Sequence, residues 1–272
     1  MTSSTAVTNA VPQARVDAAI RSAAERSGVD FSYLYNQARV ESGFNTNARA
    51  STSSATGLYQ FLDQTWLAMV DKHGAENGLG WAANAVERGA NGRYYVSDPA
   101  VRRQVMDLRR NPEAASAMAA EYASDNQAHL ESRLGRPMQS VDLYMAHFLG
   151  AGGATRFLRA HAANPDASAA ASFPREAAAN RNIFFKRGGA ARTLDEVRNL
   201  MGGKLGAGGN VAMAQARPAP TVAPTPAANP MQFMDTAYQL EALREGTSFG
   251  PTMQVQPEYA RLAYLMLADL GA

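Results

Sequence analysis

Cysteine is absent from all 272 residues. Its absence excludes disulfides, zinc–thiolate centres and a thiol nucleophile together, while leaving the redox compartment open. Histidine is scarce: His73, His129, His147 and His161 show no tight ligand spacing, so no metal or other cofactor is expected. Long apolar runs are missing too. No stretch approaches the roughly 20 apolar residues of a membrane span. Met1 to Val16 is polar and Ala/Thr/Ser-rich, without the apolar centre of a secretory leader, so any export is expected to use another route. Nor is there an excess of one charge. Lys+Arg of 26 against Asp+Glu of 24 leaves a net +2, too balanced to point to nucleic acid as the partner.

Convincing strand pairs are also missing. Helix follows helix, which predicts an all-α, mostly helical fold. Val16, Ala19, Ile20 and Ala23 fall at helical spacing between Arg15 and Ser27, with Gly28 as the stop. Asp30 is placed to cap a second helix through Phe31, Leu34, Tyr35 and Ala38 to Glu41, ended by Gly43. Asp63 reads as the cap of Trp66 to His73, closed by Gly74. Asp98-Pro99 and Asn111-Pro112 each set a proline in a first helical turn, and the second opens a long helix toward Arg133, with Gly135 beyond. Ser140 begins a helix over Val141 to Leu149, and Thr193 with Glu196 forms a capping-box pattern. The loop from Ala50 to Thr56 has room for short strands.

Composition divides the chain. Residues 1–13 are expected to be a disordered N-terminus and 14–201 the main helical domain. Residues 202–230 are rich in Gly, Ala and Pro, with the run Arg217-Pro218-Ala219-Pro220, and read as an extended linker. Helical periodicity returns over 231–272, where Phe233, Met234, Ala237, Tyr238 and Leu240 mark one face and Tyr259, Leu262, Leu265 and Met266 another. So short a segment rarely makes a core alone, so this tail is expected to dock on the main domain or on a partner.

Glu41-Ser42-Gly43-Phe44 places a carboxylate in the last turn of an otherwise apolar helix. The negative end of a helix dipole and burial both favour the neutral form of such a carboxyl, which is the form a general acid needs. A solvated helix-end glutamate has the same local pattern, so position alone does not decide. Downstream, the small-residue stretch Ala50 to Thr56 feeds Gly57-Leu58-Tyr59-Gln60-Phe61. Glycine permits close approach of the backbone to a sugar, and a glutamine amide both donates to and accepts from hydroxyls.

Together the two stretches resemble the soluble lytic transglycosylase family, whose peptidoglycan-cleaving domain is goose-lysozyme-like. Glu41-Ser42 with Phe44 is similar to the family's first motif, and Gly57-Leu58-Tyr59-Gln60 to its second, Gly-Leu-Met-Gln. The run Ala55 to Phe61, followed by Gln64-Thr65-Trp66, resembles one subgroup most. The third motif, usually Ala-Tyr-Asn followed by Gly, departs here: Ala146-His147-Phe148-Leu149-Gly150 has His and Phe in place of Tyr and Asn. A fourth stretch, Ala177 to Phe184 with Asn180, Arg181 and Asn182, also resembles the subgroup. The likeness covers roughly Val16 to Met201.

The resemblance implies a lysozyme-like catalytic domain over 14–201 that acts on peptidoglycan glycan strands in the periplasm or cell wall. It implies Glu41 as the catalytic residue, with Ser42, Gly57, Tyr59, Gln60, Tyr144, His147 and Asn180 around the substrate. Tyr144 or His147 would replace the hydrogen bond lost with the usual tyrosine, although His147 also reads as a packed helix residue. Tyr59 is the expected sugar contact and Trp66 a core residue. Glycosidases usually set two carboxylates about 5–5.5 Å apart when retaining and 6.5–9.5 Å when inverting. Between Glu41 and Asp63 there is no acidic residue. That fits a one-acid enzyme closing a 1,6-anhydro ring, unless a distant acid such as Asp98 folds close. Two rivals stand beside it: a muramidase using water on the same fold, and a wall-binding or assembly protein that has lost catalysis. The tail suggests a secretion, flagellar or phage component as a further partner.

Overall fold

The computed structural model describes residues 11–51 and 53–206. The expected tail over 231–272 and all but the start of the expected linker lie outside the described residues, as does the chain up to residue 10.

Capping chemistry sets most helix ends where the sequence places them. Helix α1 (Gln13–Ser27) stops at Gly28, whose φ of 74° is left-handed and whose N–H closes onto Ala24 O. Helix α2 (Phe31–Ser42) starts on the Asp30 carboxylate, which accepts from Tyr33 N, and stops at the left-handed Gly43. Then come α3 (Asp63–His73), the short α4 (Gly80–Ala83) and a two-stranded antiparallel hairpin, β1 (Glu87–Arg88) with β2 (Tyr94–Tyr95). Asp98 caps α5 (Pro99–Asp107), and a 3-10 turn, Leu108–Arg110, leads on. Asn111 caps α6 (Pro112–Leu134), which ends at the left-handed Gly135. Helix α7 (Ser140–Ala163) is followed by α8 (Ala169–Ser172), α9 (Pro174–Ala179), α10 (Arg181–Phe184) and α11 (Leu194–Leu205). Thr193 and Glu196 form the expected reciprocal capping box of α11.

Three expectations need correction. Asp63 does not cap α3: it is the first helical residue, and its carboxylate bonds Arg102 and Arg109 instead. The expected end at Leu149 holds within α7: the backbone leaves helical geometry at Gly150, whose φ of 73° and ψ of 163° only glycine adopts without strain, and a second helical stretch follows directly to Ala163. The β1–β2 hairpin was not legible, because two-residue strands carry no periodicity. Last, 202–205 are not linker: α11 runs to Leu205 and packs against α7 and α2. The loop before Gly57 does hold isolated bridges, Arg49 with Thr56 and Thr56 with Phe61.

Helix α6 is the central element. Ala114, Ala115, Ala117, Met118, Ala119, Ala120 and Ala123 are all buried, so its N-terminal half is apolar nearly all round. Its alanines let α1 and α7 pack directly on it. Trp66 is fully buried, as expected for a core residue, and donates its indole N–H to Val105 O at 2.8 Å. At the other end, fully buried Asp142 joins α7 to α11 by accepting from Arg198 at 3.0 Å, and it also holds Arg136 at 2.7 Å. Among the described residues no helix is long and apolar enough to cross a membrane.

Candidate active site

One face of α2 carries the site. Tyr33, Gln37 and Glu41 follow each other at four-residue spacing, so they stack on one side of the helix, and all three are buried. The Glu41 side chain is closed off from solvent, at 0% exposure. Helix α7 crosses above and supplies His147, whose Nε2 stands 3.0 Å from Glu41 Oε1. On the other side of the ring, Gln37 Nε2 approaches His147 Nδ1 at 3.2 Å. With the amide nitrogen donating to Nδ1, the neutral imidazole carries its proton on Nε2, toward Glu41.

Aromatic rings hold the imidazole in place. Tyr144 stacks nearly parallel to it, with centroids 6.0 Å apart, and Tyr122 meets it edge-on at 6.4 Å. Burial pushes the Tyr33 and Tyr144 hydroxyls well above their ordinary range, and the Glu41 charge acts in the same direction on both. Both phenols thus lie within electrostatic range of the carboxyl. Lys204, on α11, is also within range of Glu41: burial lowers its ammonium, and the Glu41 charge partly offsets that.

Polar satisfaction is poor here. Both Glu41 oxygens, Gln37 Oε1, His147 Nε2 and the Tyr59 hydroxyl are buried without an aligned hydrogen bond. The close approach of His147 to Glu41 is therefore an ion-pair distance rather than a well-directed hydrogen bond. An unsatisfied buried polar group costs about 1–3 kcal/mol, and such groups gathered in one place mark a functional site more often than a structural one.

The second motif forms the adjoining wall. Ser42 Oγ donates to Leu58 O at 2.8 Å and to Ala38 O, tying the end of α2 to the loop. Gly57 has a φ of 85°, and a side chain there would run into the Arg109 carbonyl oxygen at 1.9 Å. Gln60, also with positive φ (49°), donates its amide to Gly57 O at 2.8 Å and Ala48 O at 3.2 Å. The chain over 57–60 is therefore a braced turn rather than the start of a helix.

This geometry sorts the expected site residues. His147 and Tyr144 gather around Glu41. Tyr59, the expected sugar contact, is 1% exposed, so its ring face is closed in this structure. Tyr144 is equally buried and lies against His147. Ser42 and the Gln60 amide nitrogen are engaged by backbone carbonyls and brace the loop. Asn180 has no hydrogen bond to the cluster: its amide donates to Glu176 O, and its Oδ1 is buried without a partner. Asp98, the distant acid considered as a second carboxylate, is exposed and occupied in capping α5. Sequence reasoning missed Tyr33, Gln37 and Lys204. The first two were findable as the residues one and two turns before Glu41, but nothing local marked Lys204.

Residues 18–156 match the family model described as the Transglycosylase SLT domain, just over half of the chain. The chain belongs to the transglycosylase SLT family. An SLT domain acts on peptidoglycan as a transglycosylase or lysozyme-like cleaving module, so its site of action is the cell wall or periplasm. The matched residues of the SLT domain include Glu41, the Gly57 to Gln60 turn and His147, whereas Asn180, Lys204 and α8 to α11 lie beyond them.

Proposed function

We propose that the chain is a lytic transglycosylase that cleaves the bond between N-acetylmuramic acid and N-acetylglucosamine, with Glu41 as its single catalytic carboxyl. The observation that carries this reading is the buried carboxyl of Glu41, which approaches His147 and forms no ion pair or hydrogen bond with a second acid among the described residues. Glu41 is the one carboxylate among the charges acting on Tyr33, Tyr144 and Lys204. The acids on either side in sequence and the distant one considered as partner are committed elsewhere, Asp30 to the α2 cap, Asp63 to Arg102 and Arg109, and Asp98 to the α5 cap.

The steps balance on one carboxyl. Neutral Glu41 gives its proton to the glycosidic oxygen, and the bond from the muramyl anomeric carbon breaks with oxocarbenium character. The N-acetylglucosamine residue leaves with a free 4-hydroxyl. Glu41, now a carboxylate, takes the proton of the muramyl 6-hydroxyl as that oxygen attacks the anomeric carbon. A 1,6-anhydro ring results, and no water is consumed. The His147 N–H, held by Gln37 on its far nitrogen, steadies the carboxylate between the two halves. Because the Glu41 side chain is closed off, binding of a strand must open a path to it, and His147, with 11% of its side chain exposed, is more open than Glu41 itself.

Mass spectrometry of muropeptides released from purified sacculi tests the reading, with Glu41→Gln alongside. Products with 1,6-anhydro ends, absent from the variant, are expected. Reducing ends would instead make the protein a muramidase, and no products from the native chain would leave a wall-binding role.

A further inference from the structure

A second cavity, of about 350 Å³, lies away from Glu41, under the loop that leads into the second motif. Ser54 and Thr56 form one wall, and the end of α5 with the following turn forms the other. Its charge is strongly one-sided. Arg49, Arg102, Arg103, Arg109 and Arg110 all line it, against Asp63 and Asp107. Asp63 is shared between Arg109 at 2.8 Å and Arg102 at 3.1 Å, and Asp107 holds Arg110.

Arg109 is structural. It is 7% exposed and donates to Ser54 O, Phe61 O and Met106 O, so it fastens the loop from beneath. Burial lowers its guanidinium, and the nearby Arg110 and Arg102 add to that, which shows how closely the cations crowd. Arg49 and Arg103 are different. Both are exposed, and neither forms a salt bridge among the described residues; Arg103 acts only at longer range on Asp98. Five like charges around one hollow repel each other, and two carboxylates do not balance them. An occupant carrying two or more negative charges would, and guanidinium forks suit carboxylates or phosphates in bidentate pairs.

We propose that this cavity is a second binding site, which takes the free carboxylates of the peptide stems borne by the muramyl residues of the glycan strand. The proposal rests on the peptidoglycan reading above. Peptide carboxylates are favoured over phosphate because they belong to the strand itself and recur along it. The loop over the cavity is continuous with the Gly57 to Gln60 turn, so a strand at Glu41 and a stem in the cavity would hold the two sides of one loop. Arg49 and Arg103 make the contacts, and Arg102, Arg109 and Arg110 supply the field and the frame.

Co-sedimentation of the full chain with sacculi tests this. The Glu41→Gln protein, which leaves the wall intact, is compared with the same protein carrying Arg49→Ala and Arg103→Ala. Three walls are used: intact, stripped of peptide stems by an amidase, and freed of phosphate polymers. We expect about a tenfold weaker affinity for intact wall in the arginine variant, the size expected from losing two solvent-accessible charge contacts. The two proteins should bind stripped glycan equally, and removing phosphate polymers should change neither. Equal binding of intact wall by both proteins overturns the proposal, as does an equal loss on stripped glycan. A loss that follows phosphate removal makes phosphate the ligand and also overturns it. Charge reversal, Arg49→Glu with Arg103→Glu, should deepen the loss, and matched thermal melts exclude misfolding. Muropeptide release by the native chain, run in parallel, keeps the readings apart: cleavage with unchanged binding removes only the second site, whereas neither cleavage nor binding removes both.

Discussion

Nε2 of His147 reaches to 3.0 Å from Oε1 of Glu41, although one residue stands on α7 and the other on α2. No helix connects them, and the rings of Tyr144 and Tyr122 keep the imidazole over the carboxyl. The sequence resemblance implies a tyrosine where this chain has His147, and on that reading an imidazole stands in place of a phenol next to the acid. The predictions below begin from that pair.

Glu41→Gln should lower muropeptide release by at least about a hundredfold, the lower range for losing a positioned acid–base group. The fold should not suffer. The carboxyl is buried without hydrogen-bond partners, so a neutral amide of the same shape should leave the melting temperature unchanged or higher. A variant that is inactive but clearly less stable would point to a structural glutamate.

His147→Phe keeps a ring between Tyr144 and Tyr122 but removes both nitrogens. We expect kcat to fall about 10- to 100-fold with KM little changed, as for a catalytic group left slightly misplaced. An unaltered kcat would reduce His147 to packing.

Gly57→Ala should be among the most damaging single-methyl changes in the domain. The added carbon meets the Arg109 carbonyl at 1.9 Å, and the backbone φ of 85° is one that alanine resists. Strain and overpacking together should cost about 3 kcal/mol or more, read from urea unfolding. Loss below about 1 kcal/mol would mean that the turn relaxes easily.

Asp142→Asn tests the joint between α7 and α11. Burial alone would raise the Asp142 carboxyl, but hydrogen bonds from Arg136 and the Gln139 N–H, with the charges of Arg198 and Arg136, leave it below its usual range. A carboxyl lowered by folding adds stability above its unfolded pKa of about 3.9, and that stability is lost as pH falls through the lower folded value. The variant should therefore be weaker by about 3–5 kcal/mol at neutral pH, the cost of breaking a buried pair. The gap should narrow as pH falls below about 3.9 toward the lower folded value. A gap that does not narrow in acid would assign the loss to shape rather than charge.

Much of the helical frame was legible because helix ends depend on local chemistry. Asp30, Asp98, Asn111 and Thr193 bond backbone N–H groups two or three residues ahead, and Gly28, Gly43 and Gly135 supply left-handed stops. Where a charged side chain found a distant partner, that logic failed. Asp63 had the look of a cap, but Arg109, folded beneath the loop, took its carboxylate. The helix over Val141 to Leu149 was legible, but the second helical stretch that follows the break at Gly150 and runs to Ala163 was not.

By itself the sequence determined the helical class, most of the caps and the Glu41, Gly57 and Gln60 pattern that resembles the family. All of these are set by residues within a few positions of one another. Tertiary structure decided which groups surround the acid. It buried Tyr59 and Tyr144, brought His147 and Lys204 toward Glu41, and gathered five arginines around one cavity. Burial and charge proximity arise from helices packing across long separations in the chain, and no local pattern of residues records which faces will meet.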